Sequence, residues 1–168
     1  MIGNFYESLK VGKQAEAYAE EFFKKQNIDY QCVQNLNEYR KKDIDYLTSI
    51  GTVECKMNFV DAMKYRPGLF VWIETSVGEN KGWWYLSETD YYIFFDGNGK
   101  GILIQNNQEF KDFVNNLIEN GDREINRFDY KPDRRKNKII TAKCMRLYLD
   151  QIENTNINFN FIVKRSTK

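Results

Sequence analysis

The first part of the chain places hydrophobic residues at helical spacing. Over residues 10–26 the apolar positions recur at i, i+3, i+4, i+7 and i+8, which is typical of a helix with one buried face. The five residues of this face are Ala15, Tyr18, Ala19, Phe22 and Phe23. We therefore expect an amphipathic helix, and Asn27 is placed to end it.

Alternation of apolar and polar residues then predicts strands. Residues 28–36 predict a first strand. Residues 43–50 and 52–59 predict a hairpin, because Gly51 interrupts two extended runs. Residues 68–75 are rich in β-branched and aromatic side chains, which indicates a central strand.

The second half continues with strands around one further helix. Residues 90–105 hold two apolar runs joined by DGNGKG, which predicts a second hairpin, and residues 107–120 predict a helix. A basic loop then leads to predicted strands over 138–152 and 157–164. This order of elements predicts an α/β (α+β) fold in one domain, residues 1–168, with a central mixed sheet flanked by helices.

Chain length and hydropathy limit where the protein is expected to work. The 168 residues are enough to bury the core of one domain. No apolar run approaches the roughly 20 residues that span a bilayer, and the first residues lack the apolar segment of a secretory signal. We therefore expect an intracellular, cytoplasmic protein that is neither secreted nor bound to a membrane.

The composition excludes the chemistry that depends on histidine. The chain has no His, which removes Ser-His-Asp and Cys-His catalysis and His-ligated zinc. Metal chemistry would then depend on carboxylates, which favour hard cations. Cys32, Cys55 and Cys144 show no CxxC spacing, so we expect buried free thiols.

Positive charge is concentrated in three segments although the net charge is only +1. The segments cover residues 40–42, 131–138 and 164–168, and such patches can contact a phosphate backbone. Each segment taken alone is equally compatible with a solvated loop. The residues predicted to contact nucleic acid are Arg40, Lys41, Lys42, Lys131, Arg134, Arg135, Lys136 and Lys138.

The stretch DIDYLTSIGTVECK, residues 43–56, brings acids and a lysine to adjacent predicted strands. Glu54 and Lys56 share one strand face, and Asp45 can approach them across the hairpin. Two carboxylates can hold Mg²⁺, which lowers the pKa of a bound water, and a nearby Lys can offset phosphate charge. The pattern outlines a site for phosphodiester hydrolysis, and the alternative is a surface hairpin with scattered charges.

This arrangement resembles the PD-(D/E)XK nuclease superfamily, and the resemblance covers roughly residues 10–60. The superfamily places an acid on one strand, Glu/Asp-x-Lys on the next, and often a Glu on the preceding helix. The matching residues are Glu16, Asp45, Glu54 and Lys56. The layout EAYAEEFFKKQNI, residues 16–28, is similar to that of archaeal Holliday-junction resolvases and their relatives.

The resemblance implies a restriction-endonuclease-like fold and a site for Mg²⁺ (or Mn²⁺). Asp45, Glu54 and the backbone carbonyl of Cys55 would bind the metal ion, and the Cys55 side chain would point into the core. Glu16 would bind the ion or its water shell from the side. Lys56 would assist the nucleophilic water.

Two features leave the choice of the first acid open. The proline that the superfamily places before this acid is Ile44 here, and Asp43 is a rival for the metal role. Asp45 is preferred because Ile44 and Tyr46 flank it as residues expected to face the core. Asp43 follows two lysines and is expected at the solvated start of a strand.

The resemblance also implies a function. We expect a metal-dependent endodeoxyribonuclease whose substrate is branched DNA or a Holliday junction. The second hypothesis is a sequence-specific restriction or homing endonuclease. Cutting both strands needs two sites, so we expect a homodimer. A non-catalytic nucleic-acid-binding module of the same fold is the competing class. The sequence does not separate DNA from RNA as the substrate.

Overall fold

Two β-sheets and one long helix organise the part of the chain described by a computed structural model. The backbone is described over residues 2–57, 70–120, 125–131 and 140–162, and the side chains over 10–57, 71–120, 142–148 and 151–162. The helices in these ranges are α1 (Phe5–Gln26), α2 (Asn37–Arg40), α3 (Trp83–Leu86), α4 (Gln108–Glu119) and α5 (Leu149–Glu153). The strands are β1 (Ile2–Asn4), β2 (Tyr30–Cys32), β3 (Tyr46–Thr48), β4 (Gly51–Met57), β5 (Phe70–Val77), β6 (Asn80–Lys81), β7 (Tyr91–Phe95), β8 (Gly101–Gln105), β9 (Ile125–Lys131), β10 (Ile140–Tyr148) and β11 (Phe159–Ile162).

Both sheets are mixed. The first sheet has the strand order β11-β8-β7-β4-β3-β2, and the second has the order β1-β9-β10-β5-β6. In the first sheet β4 pairs in parallel with β7, and the other pairings are antiparallel. In the second sheet β1 and β9 are parallel neighbours. The strand that carries the predicted motif, β4, is therefore an interior strand.

Helix α1 covers one face of the first sheet. Ala15, Ala19 and Phe23 are fully buried, and they share a core with apolar residues of β3, β4, β7 and β8. The Phe23 ring lies 5.3 Å from the Tyr30 ring and 5.4 Å from the Tyr46 ring, distances at which aromatic pairs attract each other. The predicted helix and its buried face are confirmed, and Asn27 ends the helix with φ 53°.

The opposite face of the first sheet packs on the second sheet and α4. Tyr92 and Phe94 of β7 point into this second core, together with Ile73 of β5 and Phe110 and Val114 of α4. Successive residues of a strand point to opposite faces, and Ile93 and Phe95 accordingly face α1. Strand β7 is thus apolar on both faces, as expected for an interior strand.

The structure confirms the prediction of a mixed sheet flanked by helices, both hairpins and the helix over 107–120. The first hairpin joins β3 and β4, and the second joins β7 and β8. In the second hairpin the Asp96 carboxylate accepts hydrogen bonds from the backbone N–H of Asn98 (2.8 Å) and Lys100 (2.9 Å), which closes the turn. The last predicted strand is present as β11.

Other predictions were wrong. Two sheets replace the single central sheet, and the residues predicted as a central strand form β5, which has only the two-residue β6 outside it. The segment predicted as a basic loop contains strand β9, which pairs with β10. Its polar residues did not predict a strand. The first strand is reduced to β2, and the strand predicted over 138–152 ends at Tyr148, where α5 follows.

Cys32 is a further correction, because its side chain is exposed whereas Cys55 and Cys144 are buried. Cys32 lies on β2, the edge strand of the first sheet, where side chains are only partly covered. Among the residues that the structure describes, no helix combines the length and the apolar character needed to cross a membrane.

Replacement of Phe23 by Ala tests the packing of α1 on the first sheet. The Phe23 side chain is fully buried, so Phe23→Ala should lower the free energy of unfolding by about 3–5 kcal/mol. Phe161→Ala is the control, because Phe161 is 54% exposed and its loss should cost less than about 1 kcal/mol. Urea unfolding followed by circular dichroism measures both values. Equal losses in the two variants would contradict the assigned core.

Candidate active site

The hairpin of β3 and β4 brings Asp45 beside the acid of β4. Tyr46 pairs with Val53, and the Asp45 N–H donates to the Val53 carbonyl at 3.0 Å, so the regular ladder ends at Tyr46. The Asp45 and Glu54 carboxyl groups are close enough for each to shift the pKa of the other. Gly51 begins the returning strand with φ +132°, and a Cβ atom there would lie 2.9 Å from the Asp90 carboxylate, so a side chain is excluded.

Strand β4 separates apolar and charged residues onto its two faces. Val53 and Cys55 are buried in the core under α1, while Glu54 and Lys56 alternate with them and lie on the other face. The predicted burial of the Cys55 side chain is confirmed. Ile44 and Tyr46 are also buried, as predicted for the residues that flank Asp45.

Glu54 is almost fully shielded from water, and Asp45 is partly shielded. Glu54 is only 4% exposed, and burial raises its pKa well above the usual range, with Asp45 and Asp43 adding to the shift and Lys56 opposing it. Burial also raises the pKa of Asp45, although its Oδ2 accepts a hydrogen bond from the Cys55 N–H at 2.9 Å. The protein thus holds two carboxyl groups where ionisation is costly.

Lys56 supplies a cation to this cluster. Its ammonium donates to the Glu54 carboxylate and to Asp43 Oδ2, the latter at 2.9 Å, and lies 5.1 Å from the centre of the Trp83 ring. Burial alone would lower the pKa of Lys56, but the Glu54 and Asp43 carboxylates outweigh this effect and raise it. Lys56 therefore remains charged and can serve as a hydrogen-bond donor, not as a base.

The position of Asp43 corrects the prediction of a solvated strand start. Asp43 precedes β3 with φ 54°, a left-handed conformation that Asp tolerates better than most residues. Its side chain is 28% exposed and forms the ion pair with Lys56. Backbone contacts fix this turn, because the Glu88 N–H donates to the Lys42 carbonyl at 2.9 Å. Asp43, which the sequence leaves as a rival of Asp45 for the metal role, is a partner of Lys56.

Glu16 reaches the same place from α1. Gln34 Nε2 donates to Glu16 Oε2 at 3.0 Å, which orients the carboxylate. All four residues of the predicted motif line one open pocket of about 300 Å³. The residues that line it are Val11, Gly12, Glu16, Asp45, Glu54, Cys55, Lys56 and Met57.

The donor set of the pocket fits a hard divalent cation with few protein ligands. In the described ranges no three Asp, Glu or Cys side chains are close enough to share one metal ion. Mg²⁺, however, keeps several waters and is commonly held by one or two carboxylates. Asp43 and Glu54 contact the single Lys56 ammonium and Asp45 lies near it, and a bound divalent cation would favour the ionised forms that burial of Asp45 and Glu54 opposes. Asp45 and Glu54 are the side chains that would bind it.

The predicted nucleic-acid contacts are described only in part. Arg40, Lys41 and Lys42 are exposed on α2 and the turn that leads to Asp43, and Lys42 pairs with Glu88 at 2.8 Å. Lys131 lies on β9, but its side chain is outside the described residues. Arg134, Arg135, Lys136, Lys138 and the segment 164–168 also lie outside them. The described basic segment lies next to the acid cluster.

Sequence reasoning missed three further residues that shape the site. Gln34 orients Glu16, and the Trp83 ring packs on the Lys56 ammonium. Glu74 of β5 accepts a hydrogen bond from the Trp83 N–H at 3.4 Å, and burial raises the Glu74 pKa. Trp83 and Glu74 come from elements that follow the motif and approach it only through tertiary packing, so no local pattern could identify them.

Comparisons with known proteins identify no relative. No protein-family model, no curated protein and no solved structure matches this chain. The support for a function therefore comes from the residues of the pocket and their geometry.

The raised pKa of Asp45 makes stability depend on pH in a defined direction. A carboxyl whose pKa is higher in the folded state stabilises the fold below the unfolded value of about 4, and this contribution is lost as pH rises through the folded value. Asp45→Asn cannot ionise but keeps an acceptor for the Cys55 N–H. Without divalent cations, the variant should gain stability relative to the original protein as the pH rises above about 4.

Urea unfolding at several pH values in EDTA measures this difference. Glu79→Gln is the matched control, because the exposed Glu79 is hydrated in both the folded and the unfolded states. A difference between Asp45→Asn and the original protein that does not change with pH would contradict the assigned burial of Asp45.

Proposed function

We propose that the chain is a metal-dependent endodeoxyribonuclease that hydrolyses phosphodiester bonds with a PD-(D/E)XK-type site. The observation that carries the proposal is the pocket in which the Lys56 ammonium pairs with the buried Glu54 carboxylate beside the partly buried Asp45. A restriction-endonuclease-like fold is part of the proposal. It is supported by α1 packed on a mixed sheet whose interior strand carries Glu54 and Lys56.

Each residue of the pocket has a separate role in the proposed reaction. Asp45 and Glu54 would hold Mg²⁺ (or Mn²⁺), with the Cys55 backbone carbonyl as a further ligand. The bound ion would lower the pKa of water and offset charge on the phosphate. Lys56, which stays protonated, would donate to the attacking water or to a phosphate oxygen. Glu16, oriented by Gln34, would accept a hydrogen bond from the water shell.

The basic turn next to the cluster supports a polyanionic substrate. Arg40 and Lys41 are exposed immediately before Asp43, so a phosphate backbone that contacts them would pass close to the pocket. Branched DNA is our first substrate and a specific duplex sequence the second, while RNA is compatible with the same chemistry. A homodimer would supply the two sites needed to cut both strands.

A second candidate function is a nucleic-acid-binding module that does not cleave. The observation that favours it is the ion pairing of Lys56 with both Glu54 and Asp43, which satisfies these charges within the protein itself. Such a cluster can be structural. The two candidates differ in one measurable property, because only the nuclease would cleave its substrate with a divalent cation.

Cleavage of nucleic acid tests the proposed function. Incubation with plasmid, single-stranded DNA, branched DNA and RNA should give cleavage with Mg²⁺ or Mn²⁺ and none with EDTA. Glu54→Gln and Lys56→Met should each lower the rate by about 100-fold or more, because each removes charge stabilisation at the reacting phosphate. Gel electrophoresis of end-labelled substrates measures the rates.

The exposed ion pair between Glu21 and Lys25, 2.6 Å long, provides the matched controls. Glu21→Gln and Lys25→Met make the same chemical changes away from the pocket and should leave the rate unchanged. Binding without cleavage on all four substrates would favour the binding module and reject the nuclease.

The salt dependence of binding tests the basic turn. Each phosphate contact contributes about 0.9 to the slope of log K against log salt, so the double variant Arg40→Gln/Lys41→Gln should lower the slope by about 2. Fluorescence anisotropy of labelled duplex DNA in EDTA measures binding without cleavage. Lys24→Gln/Lys25→Gln, on the exposed side of α1, should leave the slope unchanged. Equal slopes for all three proteins would exclude the basic turn from the interface.

A further inference from the structure

The Lys56 ammonium has two carboxylate partners that come from different parts of the hairpin. Glu54 lies two residues before Lys56 on β4, whereas Asp43 belongs to the turn before β3. The Trp83 ring adds a third contact at 5.1 Å. Of the two acids, Glu54 lines the pocket, and Asp43 does not.

A divalent cation on Glu54 would compete with Lys56 for the same carboxylate. The ion and the ammonium would repel each other at this carboxylate, so ion binding would weaken the pair between Lys56 and Glu54. A largely buried ammonium without a partner is strongly unfavourable. Asp43 lies 2.9 Å from the ammonium and is fixed by its turn, so it offers the partner that Lys56 would keep.

We propose that Asp43 is a positioning residue that holds Lys56 at the edge of the pocket while Glu54 binds the divalent cation. The inference rests on the proposed function and extends it beyond the motif. It also gives Asp43 a role other than metal ligation. Asp43 pairs with the Lys56 ammonium, whereas Asp45 and Glu54 bind the divalent cation. Lys56 then keeps Asp43 as its partner when Glu54 binds the ion, and this change of partner couples ion binding to the placement of the ammonium.

The reactivity of the Lys56 amine reports whether it has a partner. Acylation by a small amine-reactive reagent, quantified for each lysine by peptide mass spectrometry, is carried out with and without saturating Mn²⁺. In the original protein Lys56 should stay protected under both conditions. In Asp43→Asn it should be protected by Glu54 without Mn²⁺ and become about tenfold more reactive with Mn²⁺.

Asn is suited to this test because it also tolerates the left-handed conformation at position 43. Asp43→Gly, which accepts a positive φ, is the second variant if the Asn variant does not fold. Lys42 serves as the internal control, since its exposed pair with Glu88 should not respond to Mn²⁺. Glu88→Gln breaks that neighbouring pair and should leave Lys56 protected under both conditions.

The outcomes separate the inference from the proposed function. Equal reactivity of Lys56 in Asp43→Asn with and without Mn²⁺ would overturn the inference, as a merely structural role predicts. A rise with Mn²⁺ in the original protein would also overturn it, because Asp43 would then be a metal ligand. Calorimetric titration establishes Mn²⁺ binding independently, and its absence in the original protein would overturn the proposed metal-dependent function as well.

Discussion

Strand β4 is covered on both faces, and this constraint decides where the charged groups of the pocket can lie. Alternation sends Val53 and Cys55 into the core under α1, so Glu54 and Lys56 must face the other way. Little water reaches Glu54 there, and its charge has to be balanced by a neighbouring cation. An apolar pair at these two positions would serve stability better. The retention of charge on an interior strand is the strongest physical reason to regard this place as functional.

The elements that depend on neighbouring residues could be predicted from the sequence. The buried face of α1, the hairpin around Gly51 and the helix after Asn107 each follow from spacing or a turn within a short stretch. The second sheet could not be predicted in this way. Its strand β9 has the polar sequence INRFDYK, and it is stabilised by pairing with β10, which no local pattern reveals.

The distinction between local sequence patterns and contacts between distant segments also applies to the pocket. One hairpin brings Asp45 close to Glu54, so their proximity followed from the motif. The prediction that Asp43 is solvated was wrong because it used the charges of the neighbouring residues and not the backbone conformation. That conformation turns the Asp43 side chain towards Lys56. Trp83 lies in the single turn of α3, which only tertiary packing brings to the motif.

Because β4 pairs in parallel with β7, residues outside the motif lie beside its charged groups. The acids and the ammonium all come from the first 57 residues. The side chains beside Glu54 and Lys56 belong to β7, which follows later in the sequence, and they are Tyr92 and Phe94. The charged groups of the pocket and the side chains that surround them are therefore encoded in separate stretches of the chain. Substitutions in β7 can alter the acidity of Glu54 without touching any residue of the motif, so two proteins with the same motif need not share a working pH.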